Sequence, residues 1–104
     1  MDRIEKLNEF LKNNPADSFV QHALGLEYIK IGNEVEAERL FEAILEREPG
    51  YVGTYYHLGK LLERKGDVDR AKLVYEKGME ESKKIAEMHA YGELKGAIEA
   101  LNDE

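Results

Sequence analysis

"HALGLEYIKIGNEVEA", from His22 to Ala37, is the stretch that decides the fold, because the sequence repeats its pattern as "YHLGKLLERKGDVDRA" from Tyr56 to Ala71. Corresponding positions in the two stretches and their flanks share one constant offset: Pro15 and Pro49, Leu24 and Leu58, Gly25 and Gly59, Gly32 and Gly66, Ala37 and Ala71, and Phe41 and Tyr75. A period of roughly 34 residues is typical of solenoid proteins, whose repeats bury their apolar faces against one another.

Apolar residues inside each copy recur at spacings of three and four, which is the period of an α-helix. The first copy carries two such sets, Val20, Leu24, Tyr28 and Ile31, and then Ala37, Leu40, Phe41, Ile44 and Leu45. Gly32 lies between the sets and predicts a helix end, and Asn33 with Glu36 predicts the cap of the next helix. Each copy is therefore predicted to be a helix, a tight turn and a second helix.

Small residues on the predicted inner faces indicate close packing between the two helices of a copy. Gly25 and Gly59 would let the partner helix approach where a side chain would hold it away, and Ala37 and Ala71 would do the same on the other helix. A larger residue at such a position overpacks the interface.

These residues resemble the tetratricopeptide repeat family, whose pattern is Trp-x2-Leu-Gly-x2-Tyr, then Ala-x3-Phe, then Pro. The first copy matches at Leu24, Gly25, Tyr28, Ala37, Phe41 and Pro49, and the second at Tyr55, Leu58, Gly59, Ala71 and Tyr75. Gln21 replaces the opening aromatic of the first copy, and Lys83 replaces the closing proline of the second. The resemblance implies an all-α fold, a right-handed superhelix of about six antiparallel helices.

The resemblance divides the sequence into residues 2–14 (an N-terminal helix), 18–49 (repeat one), 52–83 (repeat two) and 86–102 (a capping helix). The first segment looks like the second helix of a repeat, and the last looks like the first helix of another. No proline or glycine marks a break near residues 82–87, so one long bent helix is an alternative. Charged outer faces on both end helices lead us to expect a complete small domain.

Composition restricts the classes of function. With 15 basic and 22 acidic residues the net charge is −7, which disfavours nucleic-acid binding because that binding depends largely on neutralising phosphates. No apolar run is long enough to span a membrane, and the charged start MDRIEK is unlike a signal peptide. We therefore expect a cytoplasmic protein without a membrane partner.

No motif in the sequence predicts a reaction, a cofactor or a metal. Cysteine is absent, the glycines form no phosphate loop, and the many glutamates follow helical spacing as solvated faces do. His22, His57 and His89 all fall on predicted first helices. A shared metal site is disfavoured, because neighbouring helices lie about 8–10 Å apart and no second-shell carboxylate is evident. We therefore predict that the protein is not an enzyme.

The resemblance implies a concave groove, lined by the first helices, that binds a peptide or helix of a partner protein. The candidate groove residues are Phe19, His22, Leu26, Lys30, Tyr56, His57, Lys60, Arg64 and His89. They form an aromatic and basic strip suited to an acidic or C-terminal segment with an apolar anchor near Phe19 and Leu26. A solvated helix face whose basic residues balance Glu63 and the nearby acids is the alternative.

Two further considerations concern the partner. The clamp that some family members use for chaperone C-termini needs Lys, Asn and Arg at positions that here hold His22, Leu26, His57, Ala86 and Ala90, so that ligand is disfavoured. A structural role is the second hypothesis, in which terminal helices or the groove pair with another copy as a homodimer or larger oligomer. Exposure of Phe10 and Met88 on the end helices would favour it.

Overall fold

Six α-helices make up the computed structural model of the protein, which describes residues 2–103. They are α1 (Arg3–Asn13), α2 (Ser18–Lys30), α3 (Glu34–Arg47), α4 (Gly53–Lys65), α5 (Val68–Lys84) and α6 (Met88–Asn102). The protein divides between Glu48 and Pro49 into two units, α1–α3 and α4–α6, and in each unit consecutive helices pack on one another. The predicted all-α class and the helix–turn–helix form of both copies are confirmed.

Capping side chains begin four of the helices. The carboxylate or amide oxygens of Asp2, Asp17, Asn33 and Asp67 accept hydrogen bonds from the backbone N–H three residues later. The Asn33 cap was predicted, but the Glu36 carboxylate accepts from the guanidinium of Arg39. Ser18 is the first residue of α2, and Asp17 is the cap of that helix.

Three turns between helices share one backbone geometry. At the end of α2, the N–H of Gly32 donates to Ile29 (3.0 Å) and that of Asn33 to Tyr28 (2.9 Å). Gly32 and Gly66 have φ of 81° and 91°, the left-handed conformation that glycine adopts readily. Ala86 adopts it too, with φ of 56°, and separates α5 from α6. The alternative of one long bent helix is therefore wrong.

The core of the first unit lies between α2 and α3. Its buried apolar residues are Val20, Leu24, Ala37, Leu40, Phe41 and Ile44. A Cβ at Gly25 would lie 2.5 Å from Cε1 of Phe41, so the predicted close approach is confirmed. Ile31 is 64% exposed, contrary to expectation, because it is the C-cap of α2 and lies beyond the helical face. Helix α1 packs on α2 without a fully buried residue.

The core of the second unit joins α4, α5 and α6. Its buried apolar residues are Tyr55, Leu58, Leu61, Leu62, Ala71, Tyr75, Leu94, Ala97 and Leu101. A Cβ at Gly59 would overlap the ring of Tyr75. Met88 is 59% exposed, because it lies at the start of α6 on the side away from Leu94 and Leu101.

Both repeats tie the start of their first helix to the preceding proline. The side-chain amide of Gln21 donates to the carbonyl of Pro15 (3.2 Å), and the hydroxyl of Tyr55 donates to that of Pro49 (2.6 Å). Gln21 therefore makes the hydrogen bond that Tyr55 makes at the same repeat position. None of the helices within residues 2–103 has the length and apolar character needed to cross a membrane.

Candidate functional site

A half-open cavity of about 400 Å³ lies on the first unit, between α1 and α2. Its lining residues are Arg3, Phe19, His22, Ala23, Leu26, Glu27 and Lys30. Four of them, Phe19, His22, Leu26 and Lys30, were predicted as candidate groove residues, and we call these four the α2 patch. One cavity thus brings together all the candidates that lie in the first unit.

The apolar part of this cavity comes from the side of α2 that does not face α3. Phe19, in the first turn of α2, is 74% exposed, although a phenylalanine is usually buried. Leu26 and Ala23 are half-buried beside it. The imidazole of His22 lies 5.5 Å from the buried ring of Phe41, measured between ring centroids. The cavity can therefore hold an apolar side chain against Phe19 and Leu26.

Charges line the rim of the cavity. The Glu27 carboxylate lies 3.0 Å from Nζ of Lys30 and 3.4 Å from Nε of Arg3. The hydrogen bond from Lys30, supported by the nearby Arg3, lowers the pKa of Glu27 below its usual value despite some desolvation. Two cations share one carboxylate, so the rim is positive on a protein that is acidic as a whole.

A second group of candidates, Tyr56, His57, Lys60 and Arg64, lies on α4 and is called the α4 patch. The rings of Tyr56 and His57 meet edge to face with centroids 5.9 Å apart. Nζ of Lys60 lies 5.5 Å from the centroid of the Tyr56 ring, within the range of a cation–π contact. Arg64 is exposed one turn further along.

Neighbouring carboxylates modify the charge of the α4 patch. The Glu63 carboxylate lies 3.5 Å from Nζ of Lys60 and accepts a hydrogen bond from the buried hydroxyl of Tyr75. Burial, followed by this contact, raises the pKa of Tyr75. Burial also lowers the pKa of His57, with a smaller contribution from Arg64, while Glu93 of α6 acts in the opposite direction. The surroundings of His57 therefore favour its neutral imidazole.

His89 lies exposed in the first turn of α6. Sequence reasoning named Glu63 as a neighbour of the basic strip, but it missed two residues that shape the α2 patch, Arg3 and Glu27. Glu27 could have been found because Lys30 follows it at i+3. Arg3 could not, because its place depends on how α1 packs against α2. Residues 2–103 contain no group of three His, Cys, Asp or Glu side chains placed to hold a metal ion.

Comparison with known proteins identifies solved structures with a similar fold and one protein family whose sequence model matches. The sequence model of the Tetratricopeptide repeat family matches residues 29–98. A tetratricopeptide repeat domain protein of Salinibacter ruber, known from a crystal structure, is 39% identical with a TM-score of 0.81. That match covers 84% of this chain and 97% of the Salinibacter chain.

Two more distant matches agree with this result. A Bordetella parapertussis protein of known solution structure has a TM-score of 0.84 at 22% identity, over 99% of this chain and 90% of its own, which supports the fold alone. The mouse interferon-induced protein with tetratricopeptide repeats 3 is 26% identical over 68 residues, 65% of this chain and 17% of its own length. The chain thus spans under a fifth of this curated relative. The repeat pattern, the helix packing and the match over residues 29–98 show that the chain belongs to the tetratricopeptide repeat family.

Proposed function

We propose that this chain is an interaction module that binds a segment of a partner protein through the first helices of its repeats. Tetratricopeptide repeat domains generally bind proteins and are usually not catalytic. In this proposal each unit offers its own ligand-binding surface, which is the α2 patch in the first unit and the α4 patch with His89 of α6 in the second. The resemblance predicts that these residues line a groove.

The cavity at the α2 patch is the observation that carries the proposal. Its apolar floor and positive rim fit an apolar side chain followed by a carboxylate, as in an acidic segment or at a free C-terminus. Aromatic residues commonly supply the hot spots of protein interfaces, and Arg and Lys pair with carboxylates through charge-assisted hydrogen bonds. Exposed apolar surface rimmed by charge is also a feature of binding sites.

The α4 patch, on the second unit, offers contacts of the same chemistry. Tyr56 offers a ring that the ammonium of Lys60 and the imidazole of His57 already hold in place. A ring held in this way loses less conformational entropy on binding. The Arg64 guanidinium, exposed at the end of the helix, can reach a carboxylate of the ligand.

The test is selection of ligands from a displayed library of peptides with free C-termini, repeated with a variant carrying Tyr56→Ala, Lys60→Glu and Arg64→Glu. Selected peptides should carry an apolar residue next to acidic residues or the terminal carboxylate. Their affinity should fall at least about tenfold in the variant, since several charge-assisted contacts are lost. Circular dichroism should show unchanged helicity, because Tyr56 and Lys60 are only half-buried and Arg64 is exposed.

A matched control makes the same kind of change on α5, with Leu73→Ala, Arg70→Glu and Lys83→Glu. All three residues are exposed, and the change in net charge is identical. This control should bind like the wild type. Equal loss in both variants would show that only the net charge matters, and a collapse of stability in the α4 variant would show that its patch is structural.

Self-assembly is a second candidate function, favoured by the exposure of apolar residues on α1 and α6. Phe10 is 46% exposed and Met88 is 59% exposed. Apolar residues at these two positions would be covered if the terminal helices paired with another copy.

A further inference from the structure

We propose that the cavity between α1 and α2 receives α6 of a second copy, so that copies of the protein associate head to tail. This inference rests on the self-assembly function proposed above and names its two surfaces. The acceptor face is the α2 patch together with Arg3 and Phe10. The donor face is the open side of α6, formed by Met88, Gly92, Gly96 and Glu99, together with Asp103, the C-cap of the helix.

Helix α6 has one covered side and one open side. Leu94, Ala97 and Leu101 face the rest of the second unit and are buried. On the opposite side Met88 is 59% exposed, and a Cβ built at Gly92 or at Gly96 would meet no atom within 4 Å. Glycine lowers helix stability relative to alanine. Gly92 and Gly96 therefore weaken α6, and no close packing within residues 2–103 requires a glycine at either position.

The same protein shows what covers such a glycine. Gly25 lies against the ring of Phe41, and Gly59 lies against the ring of Tyr75, each ring standing at the same place on the second helix of its repeat. Gly92 follows Gly59 by close to one repeat length and lies on the exposed side of α6. The donor face therefore has the shape of a first helix ready for a second helix to pack on it.

Helix α1 has the matching character of a second helix. Leu7 precedes Phe41 by one repeat length, and Phe10 precedes Ile44 by the same interval. Ile44 is fully buried in its repeat, whereas Phe10 is 46% exposed. Helix α1 thus leaves uncovered the face that α3 buries against its own first helix, and the cavity with Phe19 lies beside it. Helix α6 of another copy would supply that first helix.

Charge complementarity identifies a second copy as the occupant. On the acceptor face Arg3 and Lys30 outnumber the single carboxylate of Glu27. The open side of α6 and its edges carry the carboxylates of Glu93, Glu99 and Asp103 against one ammonium, that of Lys95. Antiparallel packing of α6 on α1, as in both repeats, brings the C-terminal end of α6 towards Arg3. The two faces therefore attract each other although the protein as a whole has a net charge of −7.

Complementation between two disabled variants tests this geometry. A donor variant, Gly92→Lys with Gly96→Lys, blocks the open side of α6. An acceptor variant, Phe19→Glu with Lys30→Glu, fills the cavity with negative charge. Sedimentation velocity from about 10 μM to about 1 mM covers the range in which weak contacts dissociate. The wild type should form species that grow with concentration, because a head-to-tail contact leaves one free face at each end.

Each variant alone should be monomeric, whereas their equimolar mixture should form only a one-to-one dimer, since each variant keeps the face that the other has lost. Both donor substitutions are at exposed positions and should raise the melting temperature, so loss of association cannot be ascribed to unfolding. At about 0.1 M NaCl, where most of the long-range repulsion between copies is screened, the α5 control variant of the peptide experiment should associate like the wild type.

Two outcomes would overturn the inference, and they are distinguishable. A wild type that stays monomeric throughout removes both the inference and the self-assembly function, while peptide binding by the α4 patch can still be measured. A wild type that associates, with variants that do not complement each other, indicates a symmetric contact. That result keeps self-assembly and removes the head-to-tail geometry.

Discussion

Gly59 shows at the scale of one residue how a missing side chain holds two helices together. Its helix lies so close to α5 that an added Cβ would overlap the ring of Tyr75, whose exposure is zero. We expect Gly59→Leu to lower the free energy of unfolding by about 1–3 kcal/mol or more, because the ring has no free space to move into. Urea denaturation followed by circular dichroism measures the change.

The control for this prediction is Gly92→Leu, since a Cβ at Gly92 meets nothing within 4 Å. Replacing an exposed helical glycine with leucine should instead stabilise the fold, by roughly 0.5–1 kcal/mol. If both substitutions changed stability equally, helix propensity rather than packing against Tyr75 would explain the effect at Gly59.

Ala86 carries a second residue-scale prediction, because it holds a conformation that suits glycine. Its φ of 56° matches the turns at Gly32 and Gly66, yet its Cβ makes that conformation unfavourable. We expect Ala86→Gly to stabilise the protein by about 1 kcal/mol, with the gain in backbone freedom of the unfolded state offsetting part of the relief. Thermal and urea unfolding measure it.

Ala90→Gly provides the comparison, since Ala90 lies inside α6, where glycine should cost about 1 kcal/mol. The two substitutions are chemically identical and lie close together in the sequence, so they should change stability in opposite directions. A loss at both positions would mean that Ala86 is not strained in the native turn.

At the scale of the element, His57 on α4, which is near Glu93 of α6, should make the stability of the protein depend on pH. Burial lowers its pKa in the folded protein below the ordinary value of 6.5, so the fold favours the neutral imidazole. Its contribution to stability is full above pH 6.5, declines as the pH falls and is lost once the pH has passed below the folded pKa. We expect acidification from about pH 7.5 to about pH 5.5 to lower the melting temperature of the wild type more than that of His57→Gln.

This comparison separates His57 from the carboxylates. Three carboxylates have lowered pKa values because of basic partners: Glu27 beside Lys30, Glu36 beside Arg39 and Glu81 beside Lys84. Their contribution to the stability of the fold is lost only at lower pH. If the melting temperatures of wild type and variant fell equally as the pH was lowered through this range, His57 would not be held neutral by its surroundings.

The elements themselves were largely predictable, and the exceptions have physical causes. Periodic apolar residues bounded by glycine define α2 to α5, because burial and turn conformation both leave local signals. The turn at Ala86 leaves no such signal, since alanine rarely adopts a left-handed conformation. The α2 patch was predictable from its helical face, but Arg3 reaches the cavity from another helix, and only packing could place it there.

Across the whole molecule, net charge and local charge have opposite effects on the proposed contact between copies. Each copy has a net charge of −7, so two copies repel at long range, while the acceptor and donor faces attract at close range. The Debye length is about 30 Å at 10 mM salt, about 10 Å at 0.1 M and about 3 Å at 1 M. Moderate salt therefore removes most of the long-range repulsion and leaves part of the contact attraction, whereas salt at about 1 M weakens both.

We therefore expect self-association to be strongest near about 0.1 M NaCl and weaker at about 10 mM and at about 1 M, measured by sedimentation equilibrium. Glu99→Gln should weaken association at the intermediate salt concentration, because it removes a donor-face carboxylate. Glu76→Gln on α5 changes the net charge equally and should not weaken association, since Glu76 lies outside both faces. Equal effects of the two substitutions would show that net charge alone governs how copies meet, and the complementary faces would then have no part in it.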